Sequence, residues 1–332
     1  MAQELDIFNP EISVVAHGLE GKTIMIYGPN NVGKTAQSVR AKKPFVLACE
    51  SGLNALNGVR YYRINNWREF KKAIDQFTNK KTIDKAKEMY STIIIDEVYA
   101  SSLFCQKFVC DTYGEGCVSL GANPNSKVNL YQVYERLYWE QINKLVGAGY
   151  TVIFIGHAQE KDGYVSPKGD KRCLGPILDN CDIVAYVVPN GIDENGKVIK
   201  SSAYFAQTNQ FFARSRYDYM VTHIDEFTIE NLEKAIADGI EAQAKAEGVQ
   251  TVDYAVQQAQ NAPTVLSYEE LMDELQVYGG KLVGANKADL VTEIVENTLG
   301  VGKKVTECTK KQIESIAIVL DDLKSACEEL GL

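Results

Sequence analysis

Eight residues, Gly28-Pro-Asn-Asn-Val-Gly-Lys-Thr35, carry the most specific chemistry in the chain. Glycine at positions 28 and 33 lets the backbone turn tightly enough for its N–H groups to wrap an anion. Lys34 supplies a point charge for β- and γ-phosphates, and Thr35 offers a hydroxyl to Mg²⁺. Pro29, Asn30, Asn31, Val32 and Ala36 complete the candidate nucleotide-binding set. An apolar run, TIMIY, precedes the loop and a helical pattern, AQSVRA, follows it, which is the strand–loop–helix context the chemistry requires.

Carboxylates lie downstream at positions that could serve such a site. In STIIIDEV, three isoleucines deliver Asp96 to the C-terminal end of a buried strand, where an open α/β sheet presents ligands. Asp96 would hold the Mg²⁺ shell together with Thr35. Glu97 follows directly and could polarise a water, or simply begin the next helix. PFVLACESGLNAL ends a short strand in Glu50, a second carboxylate beside the phosphate loop or a helix N-cap. YTVIFIGHAQEK ends another strand in His157.

With these residues in place, the stretch from about 15 to 225 resembles the phage-encoded RecA-like ATPases of the single-strand annealing and recombination group. The resemblance implies an α/β fold, a RecA-like P-loop core whose mainly parallel β-sheet is flanked by helices. It implies an ATPase using ATP and Mg²⁺, with Glu50 activating the attacking water and His157 sensing the γ-phosphate. It also implies that the long loop HAQEKDGYVSPKGDKRCLGP contacts single-stranded DNA through Lys161, Lys168, Lys171 and Arg172. Arg214 and Arg216, in QFFARSRYDY, would reach the γ-phosphate held by a neighbouring subunit of a homo-oligomer. The pair Asp96–Glu97 departs from this pattern and resembles the strand end of AAA-type ATPases, in which the second acid is catalytic. That alternative implies a helicase loader or a remodeller of a protein partner. A small-molecule kinase is a third reading, but no arginine-rich lid segment follows the core.

The elements that must position these groups alternate as strand and helix, the mark of parallel strands joined by helical crossovers. Strands are predicted at Thr23–Tyr27, Pro44–Cys49, Ser91–Asp96, Tyr150–Gly156, Asp182–Val188 and Ala203–Gln207, and helices at Trp67–Phe77, Val98–Cys110 and Leu130–Gly147. Most strands are apolar on both faces, as expected beneath two helical layers. The pattern divides the chain into a core at 1–227, a helical connector at 228–263 that is rich in Gln and Ala, and a C-terminal helical module at 264–332. That module is a candidate surface for a single-stranded-DNA-binding or replication protein.

A formal net charge of −9 excludes a protein coated in basic surface, so any nucleic-acid contact must be local. The opening MAQELDIFNP lacks the basic and apolar regions of a secretory signal, and no apolar run reaches the roughly 20 residues of a membrane span. The expected location is the cytoplasm, that of a bacterial host if the protein is phage-encoded, with no membrane partner. Eight cysteines then read as reduced thiols, and the spacing of Cys105, Cys110 and Cys117 does not match a zinc ribbon or knuckle.

Overall fold

The structure is a computed structural model that describes residues 8, 10, 12–124, 127–260 and 266–332. Most of the opening segment and the proline end of the predicted connector lie outside the described residues. Two compact units divide the chain, one spanning 12–261 and the other containing the C-terminal helices.

The first unit is built on a mixed, mostly parallel sheet. Its elements begin with β1 (Thr23–Gly28), α1 (Lys34–Ser38), β2 (Pro44–Ala48), β3 (Tyr61–Arg63), α2 (Trp67–Thr78), α3 (Ile83–Met89) and β4 (Thr92–Asp96). There follow α4 (Val98–Tyr113), α5 (Leu130–Gly147), β5 (Thr151–Lys161), β6 (Tyr164–Pro167), α6 (Lys171–Asn180) and β7 (Ile183–Val188). The unit closes with β8 (Ser202–Tyr204), β9 (Arg214–Ser215), β10 (His223–Ile224), α7 (Ile229–Glu247) and α8 (Tyr254–Gln260). Strand order is β10-β8-β7-β1-β5-β4-β2-β3, parallel from β7 to β3, with β8, β9 and β10 antiparallel.

Side-chain alternation explains why the central strands are apolar throughout. Met25 and Tyr27 enter one hydrophobic cluster with Phe70, Val109 and Ile142 from the helices, whereas Ile24 and Ile26 enter the opposite cluster with Leu232 and Ile236. The central strands are therefore buried on both faces.

Two expectations are corrected here. The predicted long loop after His157 is instead a β-hairpin and a helix: β5 runs on to Lys161 and pairs with β6. Asp162 and Gly163 both take positive φ, 52° and 76°, the two-residue turn that matches the twist of paired strands. The Asp-Gly dipeptide between alternating residues was the missed signal. The segment from 228 is likewise no mere connector. Thr228 caps α7 by accepting from Asn231 N, and Ile229, Leu232, Ile236 and Ile240 bury an apolar stripe in the second cluster. On α8, Tyr254 donates to the carbonyl of Gly149 and Gln257 to that of Val14.

The second unit holds α9 (Tyr268–Gly284), α10 (Ala288–Leu299) and α11 (Ile313–Glu329). Leu271, Leu275 and Leu282 pack with Ile316, Val319, Leu320 and Leu323 in a small core of their own. Among the described residues no helix is long and apolar enough to cross a membrane.

Candidate nucleotide site

Four parallel strands deliver the predicted groups to one edge of the sheet. Register places Gly28 opposite His157, Asp96 opposite Ile155, and Ala48 opposite Asp96. Because β5 lies between β1 and β4, His157 stands between the phosphate loop and the acidic strand end. The backbone N–H groups of Cys49 and Glu50 both donate to the carbonyl of Asp96, at 2.5 and 3.3 Å, which ties the base of Glu50 to that strand.

The loop itself needs its glycines for separate reasons. Gly33 sits at φ +87°, where side chains are strained. A Cβ at Gly28 would lie 2.3 Å from the carbonyl oxygen of Val187, so β1 and β7 leave no room for one. Lys34 is buried and donates from Nζ to the carbonyls of Gly28 (3.0 Å) and Pro29 (2.6 Å), holding its ammonium within the loop's own curve. Burial lowers its pKa, opposed by Asp96, Glu97 and Glu50.

Thr35 Oγ1 donates to Asp96 Oδ2 at 2.9 Å. Burial raises the Asp96 carboxyl above its usual range, partly offset by the Thr35 hydrogen bond. A hydroxyl beside a carboxylate is an all-oxygen set that suits a hard cation such as Mg²⁺, and the buried ammonium next to it suits phosphate. The residues present thus fit both groups that the motif implies.

Glu97 is 1% exposed. Its Oε2 accepts from Ala100 N at 3.1 Å and caps α4, while Oε1 is buried without a partner among the described residues. Burial, reinforced by Glu50, pushes its carboxyl up to about 7. Glu50 is half-buried, and its Oε2 lies 3.3 Å from His157 Nε2. One ligand atom from each of Glu50, Glu97 and His157 falls within 4.8 Å of the others, so both candidate bases and the candidate sensor share one small volume.

The remaining predicted residues are not gathered there. Lys161 is exposed beside the hairpin turn, whereas Lys168 lies at the hairpin's base, where its N–H donates to the carbonyl of His157 at 2.8 Å. Lys168 Nζ stands 5.0 Å from the ring centroid of Tyr99. Lys171 and Arg172 are exposed on the first turn of α6, and Arg172 stacks 4.1 Å from the Tyr131 ring centroid. Arg214 and Arg216 turn onto their own chain. Arg214 donates to the carbonyls of Leu178 and Asp179, and Arg216 donates to Asp179 at 2.7 Å, closing the C-terminus of α6. Arg214 also pairs with Val184 near the start of β7, the sheet end opposite the phosphate loop. Cys105 and Cys110 are buried and Cys117 half-buried, all as free thiols. Burial raises the Cys105 thiol and, with Cys117 beside it, pushes Cys110 up to about 11.

A strand-borne phosphate loop, a Thr–Asp cation pair and polar residues on the intervening strand define a P-loop ATPase site. Residues 20–217 match the family model described as AAA domain, and the chain belongs to that family of P-loop ATPases. It is also similar to the SPbeta prophage-derived uncharacterized protein YorG of Bacillus subtilis (strain 168), with 52% identity over 326 residues, 98% of this chain and 99% of the relative.

Proposed function

We propose that this protein is an ATP-hydrolysing, RecA-like ATPase of phage origin that binds single-stranded DNA and promotes annealing or recombination as a homo-oligomer in the host cytoplasm. The observation that carries the reading is the Glu50–His157 pair, 3.3 Å apart, with Glu50 just past the end of β2 and His157 within β5, beside the Thr35–Asp96 pair. The similarity to the prophage-derived YorG supports the phage origin.

Thr35 and Asp96 would hold Mg²⁺, which would supply charge neutralisation for the phosphates when ATP is bound. Lys34 orients those phosphates from within the loop. Glu50 accepts the proton of an attacking water, since its carboxylate is half-exposed and meets His157 through one oxygen. Glu97, buried and committed to the α4 cap, is the poorer base. His157 couples the site to the hairpin, because its carbonyl receives the N–H of Lys168. Lys161, Lys168, Lys171 and Arg172 then supply DNA contacts that respond to nucleotide state.

A second reading follows from Glu97: a carboxylate directly after Asp96, with one oxygen unpartnered, suits an AAA-type loader or remodeller acting on a protein. Steady-state ATP hydrolysis with and without single-stranded DNA separates the two. Stimulation by DNA together with loss of turnover in Glu50→Gln supports the recombination reading. Indifference to DNA with loss in Glu97→Gln supports the loader.

A further inference from the structure

The sheet ends at β3, and among the described residues this strand has no partner on its outer side. Its residues Tyr61, Tyr62 and Arg63 are all exposed, the tyrosines by 53% and 48%. A free strand edge presents unpaired N–H and C=O groups that another extended chain can complete. Beside it lies a groove of about 550 Å³ between β3, α2 and α3, floored by Phe45, Ala73, Phe77, Ala86 and Tyr90 and walled by Tyr62. The rings of Phe45, Phe77 and Tyr90 meet edge to face at 4.9–5.9 Å, which makes the floor firm rather than collapsible.

Charge sets this edge apart from the rest of the molecule. Residues 60–90 hold nine lysines and arginines against four carboxylates, in a chain whose formal net charge is −9. Lys72 and Lys85 stand exposed at the groove's rim and take part in no ion pair among the described residues. The groove's carboxylate, Glu69, is already engaged by the N–H and side-chain amide of Asn65. Arg60 packs its guanidinium 5.9 Å from the Tyr90 ring centroid.

We propose that β3 and this groove form a docking site for an extended acidic segment of another protein, anchored by an aromatic or large aliphatic side chain. The segment adds a strand to β3, its anchor enters the groove, and its carboxylates meet Lys72 and Lys85. A row of unpaired backbone groups beside an apolar slot suits a peptide better than a nucleic acid, which has no complementary row and would use the exposed faces of aromatic rings.

The test is selection of random peptides of about twelve residues on the full-length protein, followed by fluorescence titration of the winners. The expected winners pair an aromatic residue or leucine with flanking aspartate or glutamate. Lys72→Glu with Lys85→Glu, both exposed and outside the nucleotide site, should weaken them about tenfold or more while hydrolysis stays unchanged. Ala73→Arg, which fills the groove, should abolish binding. Three results would overturn the proposal: no enrichment, winners without the acidic–apolar pairing, or winners indifferent to all three substitutions. So would a lysine double variant that loses affinity for labelled oligo-dT but keeps the peptides, which makes the edge a nucleic-acid surface. A change only in oligomer mass would overturn it too, by assigning the edge to a second copy of this chain.

Discussion

Lys34, Glu50 and Glu97 are neighbouring side chains for which the proposed function implies different roles: phosphate binding, water activation and helix capping. If Glu50 is the base, as proposed, Glu50→Gln keeps the hydrogen-bonding shape but removes the proton acceptor, so turnover should fall roughly 10²–10⁴-fold while ATP affinity stays near wild type. Steady-state hydrolysis and a fluorescent-nucleotide titration measure the two separately. Glu97 gives a pH signature of its own. Burial raises its carboxyl from 4.5 to about 7, with Glu50 and His157 as its titratable neighbours. A raised acid favours the protonated form in the fold, so its contribution is complete below about pH 4.5 and lost as pH rises through about 7. Nucleotide-free protein should therefore lose denaturant resistance between about pH 5 and 8, and Glu97→Gln should flatten that slope by up to about 3 kcal/mol. An undiminished slope in the variant would place its source elsewhere.

At the scale of elements, the two corrected segments decide what counts as the core. The stripe of α7 is continuous with the sheet's second cluster, and Ile236 is fully buried in it. Ile236→Ala should cost roughly 2–5 kcal/mol, read from the chemical-denaturation midpoint. A chain ending at Phe227 should aggregate, whereas one ending at Asn261 should show a single cooperative transition; a well-folded shorter chain would return α7 to connector status. Arg214 and Arg216 act locally as caps on α6, so each alanine substitution should cost about 1 kcal/mol whatever the nucleotide present. A change in hydrolysis confined to the assembled protein would reveal the neighbour-facing role that the sequence suggests.

Whole-molecule behaviour turns on local charge against a net of −9. If the hairpin and α6 bind single-stranded DNA, replacing Lys168, Lys171 and Arg172 with alanine should lower affinity and reduce the salt slope by about 0.7 for each phosphate no longer neutralised. Filter binding across a salt series reads both. Unchanged slopes would remove these residues from the interface and leave the loader reading stronger.

Much of this was legible in one dimension because its causes are local. GPNNVGKT states its chemistry through glycine placement and a lysine–threonine pair, and the apolar runs leading to Glu50 and Asp96 mark strand ends, whereas β5 runs on past His157 to Lys161. The helices predicted at Trp67–Phe77 and Leu130–Gly147 fall within a residue of the observed Trp67–Thr78 and Leu130–Gly147. Tertiary structure alone decided the order of the strands, and with it that His157 lies between loop and acid and within hydrogen-bond reach of Glu50. It also decided that α7 belongs to the core, that Arg214 and Arg216 spend their donors on α6, and that β3 lies at an open edge. Periodicity reports which face of an element is apolar, but not which distant element covers it; that choice rests on packing between residues far apart in the chain.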